Sequence, residues 1–440
     1  MLTLTAKQVA KTTLLSTFLA FSTISTLSHA EDMVVTKAAP RSNLQVAVVP
    51  FSGAEAISAI VTDHLTKSGQ IANSDNLPEQ PHSRNEIHLE LWQAQSVPYM
   101  VVGSVSGGGN DVVINYDVVD VNSGQVLGSL NQKTKNNPQS LAVAGYAIAD
   151  KINALFTNTK SDFDGKIAYV VSTGKGAKMS SRLIVSNADG SNPVTLQTVK
   201  GIIMSLYPSL DGRHFTFTSK RMDVFAYPVA WGVDITNNSI TPLTPFAANN
   251  GSASISPDGS QVLFSSDYNK LDNSNKLPNR EIHLAGYGSA SPQRLTNNEA
   301  LDLSPSWLPD GRSYIFTSDR DGGNNHPNIY RATLGSNAVQ RLTSGSYNTS
   351  GRVSLDGTKM SYVSGSQGAV MDLRTGATII VNASPMQEAP NISPSGKYYI
   401  YATGNAITMN FLGKTVAINP SLYGVAQGTV HEPVWLKPAN

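Results

Sequence analysis

Residues 305–320, PSWLPDGRSYIFTSDR, recur in weakened form along the chain, and this recurrence restricts the fold more than any other feature. Tight-turn dipeptides stand at Asp211-Gly212, Asp258-Gly259, Asp310-Gly311, Asp356-Gly357 and Ser395-Gly396, with the glycines 47, 52, 46 and 39 residues apart. Five residues after each glycine comes an aromatic: Phe217, Phe264, Phe316, Tyr362 and Tyr401. A period of this length, with one turn and several short alternating segments per unit, predicts a β-propeller. The reason is burial. One small antiparallel sheet cannot cover both of its faces, whereas sheets packed around an axis cover each other. Each unit reads as an inner strand, the turn, an aromatic strand, a third strand and a fourth. Third strands are expected at 183–185, 231–234, 282–284, 329–331, 369–372 and 407–410. Fourth strands include Gln293-Arg294-Leu295-Thr296 and Gln340-Arg341-Leu342-Thr343, again 47 apart.

The ends of the repeat predict how the ring closes. At Lys166 the pattern begins with an aromatic strand and no inner strand before it. At the other end His431-Glu432-Pro433-Val434-Trp435 is an unpaired inner strand matching Leu303-Ser304-Pro305-Ser306-Trp307. The orphan completes the first blade. Counting aromatic strands from Tyr169 gives six blades.

Ahead of the ring the periodicity is mixed. Residues 44–49 alternate as a strand ending at Pro50, and Ile57, Ile60, Val61 and Leu65 share one helical face over 54–67. A shorter helix is expected at 85–95, then strands at 99–105, 112–121 and 126–133. A helix over 138–156 carries Leu141, Ala144, Ile148, Ile152 and Leu155 on one side. The expected organisation is an α/β domain over 44–158 and a six-bladed propeller over 159–440, with 158–164 as the linker.

The first thirty residues read as a secretory signal peptide: Lys7 and Lys11, an uncharged run over 12–27, then Ser28-His29-Ala30 with small residues at the cleavage positions. The run is too short and too rich in Thr and Ser to serve well as a membrane anchor. Cleavage after Ala30 leaves a polar arm, 31–43, with one apolar patch at Met33-Val34-Val35. The formal charge of +1 becomes −1 without the two leader lysines, so there is no basic footprint for nucleic acid or anionic lipid. The mature chain is therefore expected to be exported and soluble, with no direct membrane insertion. Zero cysteines exclude disulfides, thiolate metal sites and a Cys nucleophile.

Catalytic motifs fail one by one. Gly-x-Ser-x-Gly is absent, which removes the nucleophile elbow of propeller-bearing peptidases. Leu412-Gly413-Lys414-Thr415 ends like a phosphate loop, but Thr408 stands where the upstream glycine is needed. The eight histidines do not pair at ligand spacing, and His82 and His88 read as solvated. Oxygen-rich residues 319–325 suit a turn better than a Ca²⁺ loop, since no closing Glu follows. Trp307 and Trp435 occupy matched repeat positions and read as core. No metal and no cofactor is expected. The competing class, a secreted propeller lyase or peptidase, needs clustered His, Lys or Arg on inner strands, which here offer mostly Ser, Pro, Ile, Val and Trp.

The chain resembles the TolB family, periplasmic propellers of the Tol–Pal envelope system. The resemblance rests on Val48-Val49-Pro50-Phe51, Lys67-Ser68-Gly69, Val101-Val102-Gly103, Lys166-Ile167-Ala168-Tyr169-Val170-Val171, Ser256-Pro257-Asp258-Gly259, Phe316-Thr317-Ser318-Asp319 and the terminal Glu432-Pro433-Val434-Trp435. It implies a non-enzymatic binding hub between the Pal lipoprotein and TolA of the inner membrane, serving envelope integrity and constriction in cell division. Other outer-membrane proteins and colicins are further partners that the resemblance implies. Asn249-Asn250-Gly251 stands where better-known members have His-Asn-Gly, and residues are inserted around 269–279. Lys37 departs from the acidic and glycine pattern of the family's arm. The ring of positions eight residues before each turn glycine, Met204, Gly251, Leu303, Thr349 and Glu388, is the expected Pal surface. His431, Asn249 and Asn250 complete it. The arm residues Glu31, Asp32, Met33, Val34 and Val35 are the expected TolA segment.

Overall fold

The computed structural model describes residues 44–437, apart from 68–70, 74–76, 225, 269–278, 322–325 and 346. The expected leader and arm, and most of the insertion, lie outside the described residues.

A five-stranded sheet opens the chain, built from β1 (Leu44–Val48), β2 (Ile71–Asn73), β3 (Tyr99–Gly108), β4 (Asp111–Asp120) and β5 (Val126–Lys135) in the order β2-β1-β3-β4-β5. β1 pairs in parallel with β2 and β3, while β3, β4 and β5 form an antiparallel meander. Alternation decides which side chains meet the helices. Val46, Val48, Val101, Ile114, Tyr116 and Val118 pack against α1 (Glu55–Lys67) and α3 (Pro138–Thr157). Ala47, Val49, Met100 and Val102 face the other way, onto Trp92. α3 starts where the Asn137 side chain accepts the Ser140 amide with Pro138 behind it, and stops at Asn158 with φ 51°.

The segment expected as one helix at 85–95 is a 3₁₀ turn, Arg84–Glu86, followed by a short helix, α2 (Leu89–Ala94). Glu79 is the reason. It accepts the His88 amide, pairs with the His88 ring at 2.8 Å and accepts from the Trp92 indole, so the chain restarts its helix at His88.

Six four-stranded sheets follow. The inner strands of blades 2 to 6 are Gly201–Pro208, Ala253–Ile255, Asp302–Trp307, Asn348–Val353 and Asn391–Ile392. Thr429–Leu436 supplies the inner strand of blade 1 by pairing antiparallel with Lys166–Thr173, so the ring closes as expected. The turn glycines earn their place by backbone angle: Gly212, Gly259, Gly311, Gly357 and Gly396 all have φ between 63° and 75°. The residue before each glycine fixes the turn, as where Asp310 accepts the amides of Arg312 and Ser313. The aromatics five residues on are buried between blades, Phe264 and Phe316 completely.

The strand directions give the ring two faces. One carries the turns with these glycines; the other, the entrance face, carries the loops that lead into the inner strands. The α/β domain sits against the turn face at blades 6 and 1. His64 of α1 stacks on Phe411 at 4.0 Å and lies 2.6 Å from the Tyr398 hydroxyl. Lys414, part of the rejected phosphate-loop resemblance, pairs with Asp63 at 2.7 Å.

Residues 158–164 differ from a loose linker. Ser161, Asp162 and Phe163 are buried, and Asp162 accepts from Ser393 Oγ at 2.6 Å and from the Ser395 amide at 2.9 Å. Trp435 of the closing strand donates its indole N–H to the Asp162 carbonyl at 3.0 Å.

Candidate functional site

The entrance of the ring is where bulged inner strands converge. Register shifts interrupt the ladders at Leu303/Ser306, Thr349/Arg352 and His431/Val434. At matching positions Ser205, Ser304, Ser350 and Glu432 adopt φ of 57°, 52°, 59° and 52°, the left-handed region that non-glycine residues enter only when held there. A bulge re-aims the side chains around it. Here it turns polar groups towards the axis.

Those groups form a cluster across the channel. Arg352 of blade 5 pairs with Glu432 of blade 1 at 2.6 Å, donates to the Ala389 carbonyl at 3.1 Å and lies 4.8 Å over the ring of Tyr207 from blade 2. Glu432 also accepts the Ser205 amide at 2.8 Å, and its own amide donates to Glu388 at 2.6 Å. Blades 2 and 5 stand opposite each other, so Arg352 and Tyr207 bridge the axis. Burial first, then the Glu432 charge, pushes the Glu388 carboxyl up to about 8. Burial lowers the neighbouring His431. A small cavity beside Arg352, about 30 Å³ and lined also by Leu355, Ile392 and Trp435, has room for little more than a water.

The inner strands therefore carry more charge than the sequence suggests, since Arg352 and Glu432 were not among the expected residues. The arginine's terminal nitrogens are occupied by Glu432 and Ala389. The space beside it is far below the roughly 300 Å³ of a ligand pocket. The arrangement is chemically a brace across the ring, not an open acid–base pair.

The expected partner residues divide in three. Met204, Leu303, Thr349 and His431 do converge at the entrance, each only partly exposed. Asn250 is a correction: it is 3% exposed, donates to the carbonyls of Pro228 and Phe246, and accepts from Ser266. It serves the fold, as Asn348 does at the same repeat position by donating to Asn328 and Ser344. Gly251 is tied similarly. A Cβ there would lie 2.2 Å from Ser265 Oγ, so a larger residue would have to turn that hydroxyl away, and the Gly251 amide donates to the Ser265 carbonyl. Glu388 is no freely solvated loop residue, because it anchors the cluster.

The outermost ring lies two positions earlier, ten before the turn glycine. Asn249, Leu301 and Tyr347 are exposed there, Leu301 and Tyr347 by 40% and 43%. Sequence reasoning found Asn249 and missed the other two. Strand alternation is the available signal, since it places positions eight and ten on the same side with ten further out. The arm residues Glu31 to Val35 lie outside the described residues. In the oxygen-rich segment, Asp319 accepts the Leu301 amide and Asp321 the Tyr330 hydroxyl, so the fold uses both carboxylates.

A family model described as the TolB beta propeller domain matches residues 154–438, and one described as the TolB amino-terminal domain matches 32–127. The chain belongs to the TolB family. Among TolB relatives, the Tol-Pal system protein TolB of Bordetella parapertussis is 28% identical over 282 residues, covering 63% of this chain and 59% of that protein. The chain thus spans about 59% of the length of that relative. The Tol-Pal system protein TolB of Actinobacillus succinogenes is 27% identical over 406 residues, 89% of each chain. The crystal structure of TolB from Acinetobacter baumannii superposes with a TM-score of 0.63 at 29% identity, over 90% of this chain and 98% of that one.

Proposed function

We propose that this TolB-family chain is a periplasmic, non-catalytic binding component of a Tol–Pal system. Its ring entrance takes up Pal, and its N-terminal arm engages TolA. The observation that carries the reading is the family match on both domains together, since a lone propeller serves many functions. The entrance suits a protein partner. It offers two exposed apolar side chains, Leu301 and Tyr347, on a rigid ring, flanked by the half-exposed His431 and Leu303. Among the described residues the α/β domain packs against the opposite face only. In the channel, where the secreted-enzyme reading needs its site, the terminal nitrogens of Arg352 are occupied and the cavity beside it is only about 30 Å³.

Calorimetric titration of the full mature chain with the soluble domain of Pal tests this directly. Leu301→Asp combined with Tyr347→Ala should weaken binding by about tenfold or more, equivalent to at least about 1.4 kcal/mol. Removing residues 32–37 should abolish TolA binding and leave melting unchanged. Unaltered Pal affinity in the double variant would move the Pal site away from the entrance. Unaltered TolA binding after the deletion would remove the arm from the reading.

A further inference from the structure

Blade 6 is built differently at the entrance. In blades 4 and 5 the inner strand pairs with its neighbour from the entrance inward, beginning at Asp302↔Ser318 and Asn348↔Ser364. In blade 6 only Asn391↔Ile400 and Ile392↔Tyr399 are paired. Residues 383–390 therefore cross the entrance with no ladder of their own. Hydrogen bonds tie them to the ring at four residues: Ser384 exchanges two with Asn382, the Met386 amide donates to the Ser366 carbonyl at 2.7 Å, the Ala389 carbonyl accepts from Arg352, and the Glu388 carboxyl accepts from the Glu432 amide. The last replaces the missing ladder bond with a side chain.

That side chain sits in an unbalanced group of charges. Glu388 faces Glu432 and His431 from the closing strand and Arg352 from blade 5, with Tyr207 of blade 2 beyond Arg352. Two carboxylates share one guanidinium. His431 stands 3.9 Å from Glu388, and burial disfavours the charged form of its ring. No further cation faces the pair among the described residues of these elements.

We propose that residues 383–390 form a proton-latched strap at the ring entrance, held closed while Glu388 carries a proton and released when that proton leaves. The carboxyl's shift up to about 8 sets the range. Its folded value lies above its unfolded one, so the latch contributes fully below the ordinary carboxylate range, weakens as pH rises from there to about 8, and loses nothing further above that. Ionised Glu388 repels the Glu432 carboxylate, while the Met386 and Ala389 contacts and the Asn382–Ser384 bonds do not change with its charge. The consequence for Pal, regulation of its docking surface by pH, rests on the reading in the preceding section; the strap itself does not.

Amide hydrogen exchange on the full mature chain at pH 6, 7, 8 and 9, corrected for the intrinsic base-catalysed rate, reads the strap without any partner. Protection of residues 383–390 should fall about tenfold from pH 6 to 7, one proton being released per opening, and level off between pH 8 and 9. The equivalent entrance loop of blade 4, residues 297–301, should stay flat. Glu388→Gln, which cannot ionise, should hold the strap protected to pH 9. Flat protection in the unaltered chain overturns the proposal even where the variant does not fold, as does a variant that follows the unaltered profile. A strap that opens while Pal affinity stays constant across the same range overturns the entrance as the Pal site and leaves the latch standing.

Discussion

The closing strand, Thr429–Leu436, ends in two different worlds. Towards the turn face Trp435 lies between Tyr398, stacked at 5.7 Å, and Phe163, edge-on at 5.7 Å, with its indole and amide N–H groups both bonded. Towards the entrance Glu432 sits in a left-handed backbone conformation among Arg352, Glu388 and the Ser205 amide. Apolar burial is non-directional and indifferent to protonation. A buried ion pair is neither, because its attraction only offsets desolvation when every group keeps its partner and its charge state. One end is built to stay put and the other to respond.

The largest effect expected is from removing that strand altogether. Deleting residues 430–440 strips the inner strand from blade 1 and leaves an open edge. The whole ring should lose its single cooperative transition in calorimetry. A truncated chain that melts like the full one would break the closure argument. Next comes Trp435→Ala, expected to cost about 3–5 kcal/mol in urea unfolding, as for other large buried aromatics. Arg352→Ala should cost a comparable amount, about 3–5 kcal/mol, by stranding Glu432 in the channel. The sharper comparison lies in pH. The Arg352→Ala loss should vary between pH 6 and 9 because the guanidinium is one of the charges acting on Glu388, whereas the Trp435→Ala loss should be nearly constant.

A smaller effect is expected where the domains meet. Burial holds His64 down to about 3, so its contribution is present above its unfolded value and lost as pH falls from about 6.5 towards 3. Burial, reinforced by Asp150, raises Asp162 to about 6, so its contribution is present below the unfolded value and lost as pH rises from about 3.8 to 6. Between pH 4 and 6 the two slopes oppose each other. His64→Gln should unmask the Asp162 slope, stability then falling by up to about 1.4 kcal/mol per pH unit across that interval. Denaturant melts at pH 4, 5 and 6 check it, and an unchanged slope would mean that His64 does not titrate with unfolding. Smallest of all, Leu301→Asp and Tyr347→Ala should each shift stability by no more than about 0.5 kcal/mol, because neither side chain is buried in the isolated chain.

The regular parts of the molecule were legible without coordinates. The glycine period, the aromatic five residues later and the orphan His431–Trp435 segment defined six blades and their closure. The sheet-and-helix order before Lys166 followed from switches between periods of two and 3.6. Legibility stopped where side chains act against the repeat. Asn250 looked like an entrance residue because it neighbours Asn249, yet its amide is consumed by Pro228 and Phe246. Glu388 looked like a partner-facing residue because it stands eight before its turn glycine, yet its carboxyl is taken up by the Glu432 amide. Residues 158–164 looked like a tether because they are short and polar, but Asp162 finds its partners more than 230 residues away, at Ser393 and Ser395.

What the sequence determined by itself is what local physics repeats: turns that need a positive φ, strands that alternate, helices with one apolar face, and a ring that must close to bury its edges. These depend on neighbours along the chain, so the pattern is written in the spacing. Only the tertiary structure decided what the channel contains. Arg352, Glu388 and Glu432 come from three different blades, and nothing in the spacing of one Arg and two Glu says that ring curvature brings them within 3 Å of one another or of one another's backbone. Their charge states follow from that proximity and from lost water, both properties of the assembled ring.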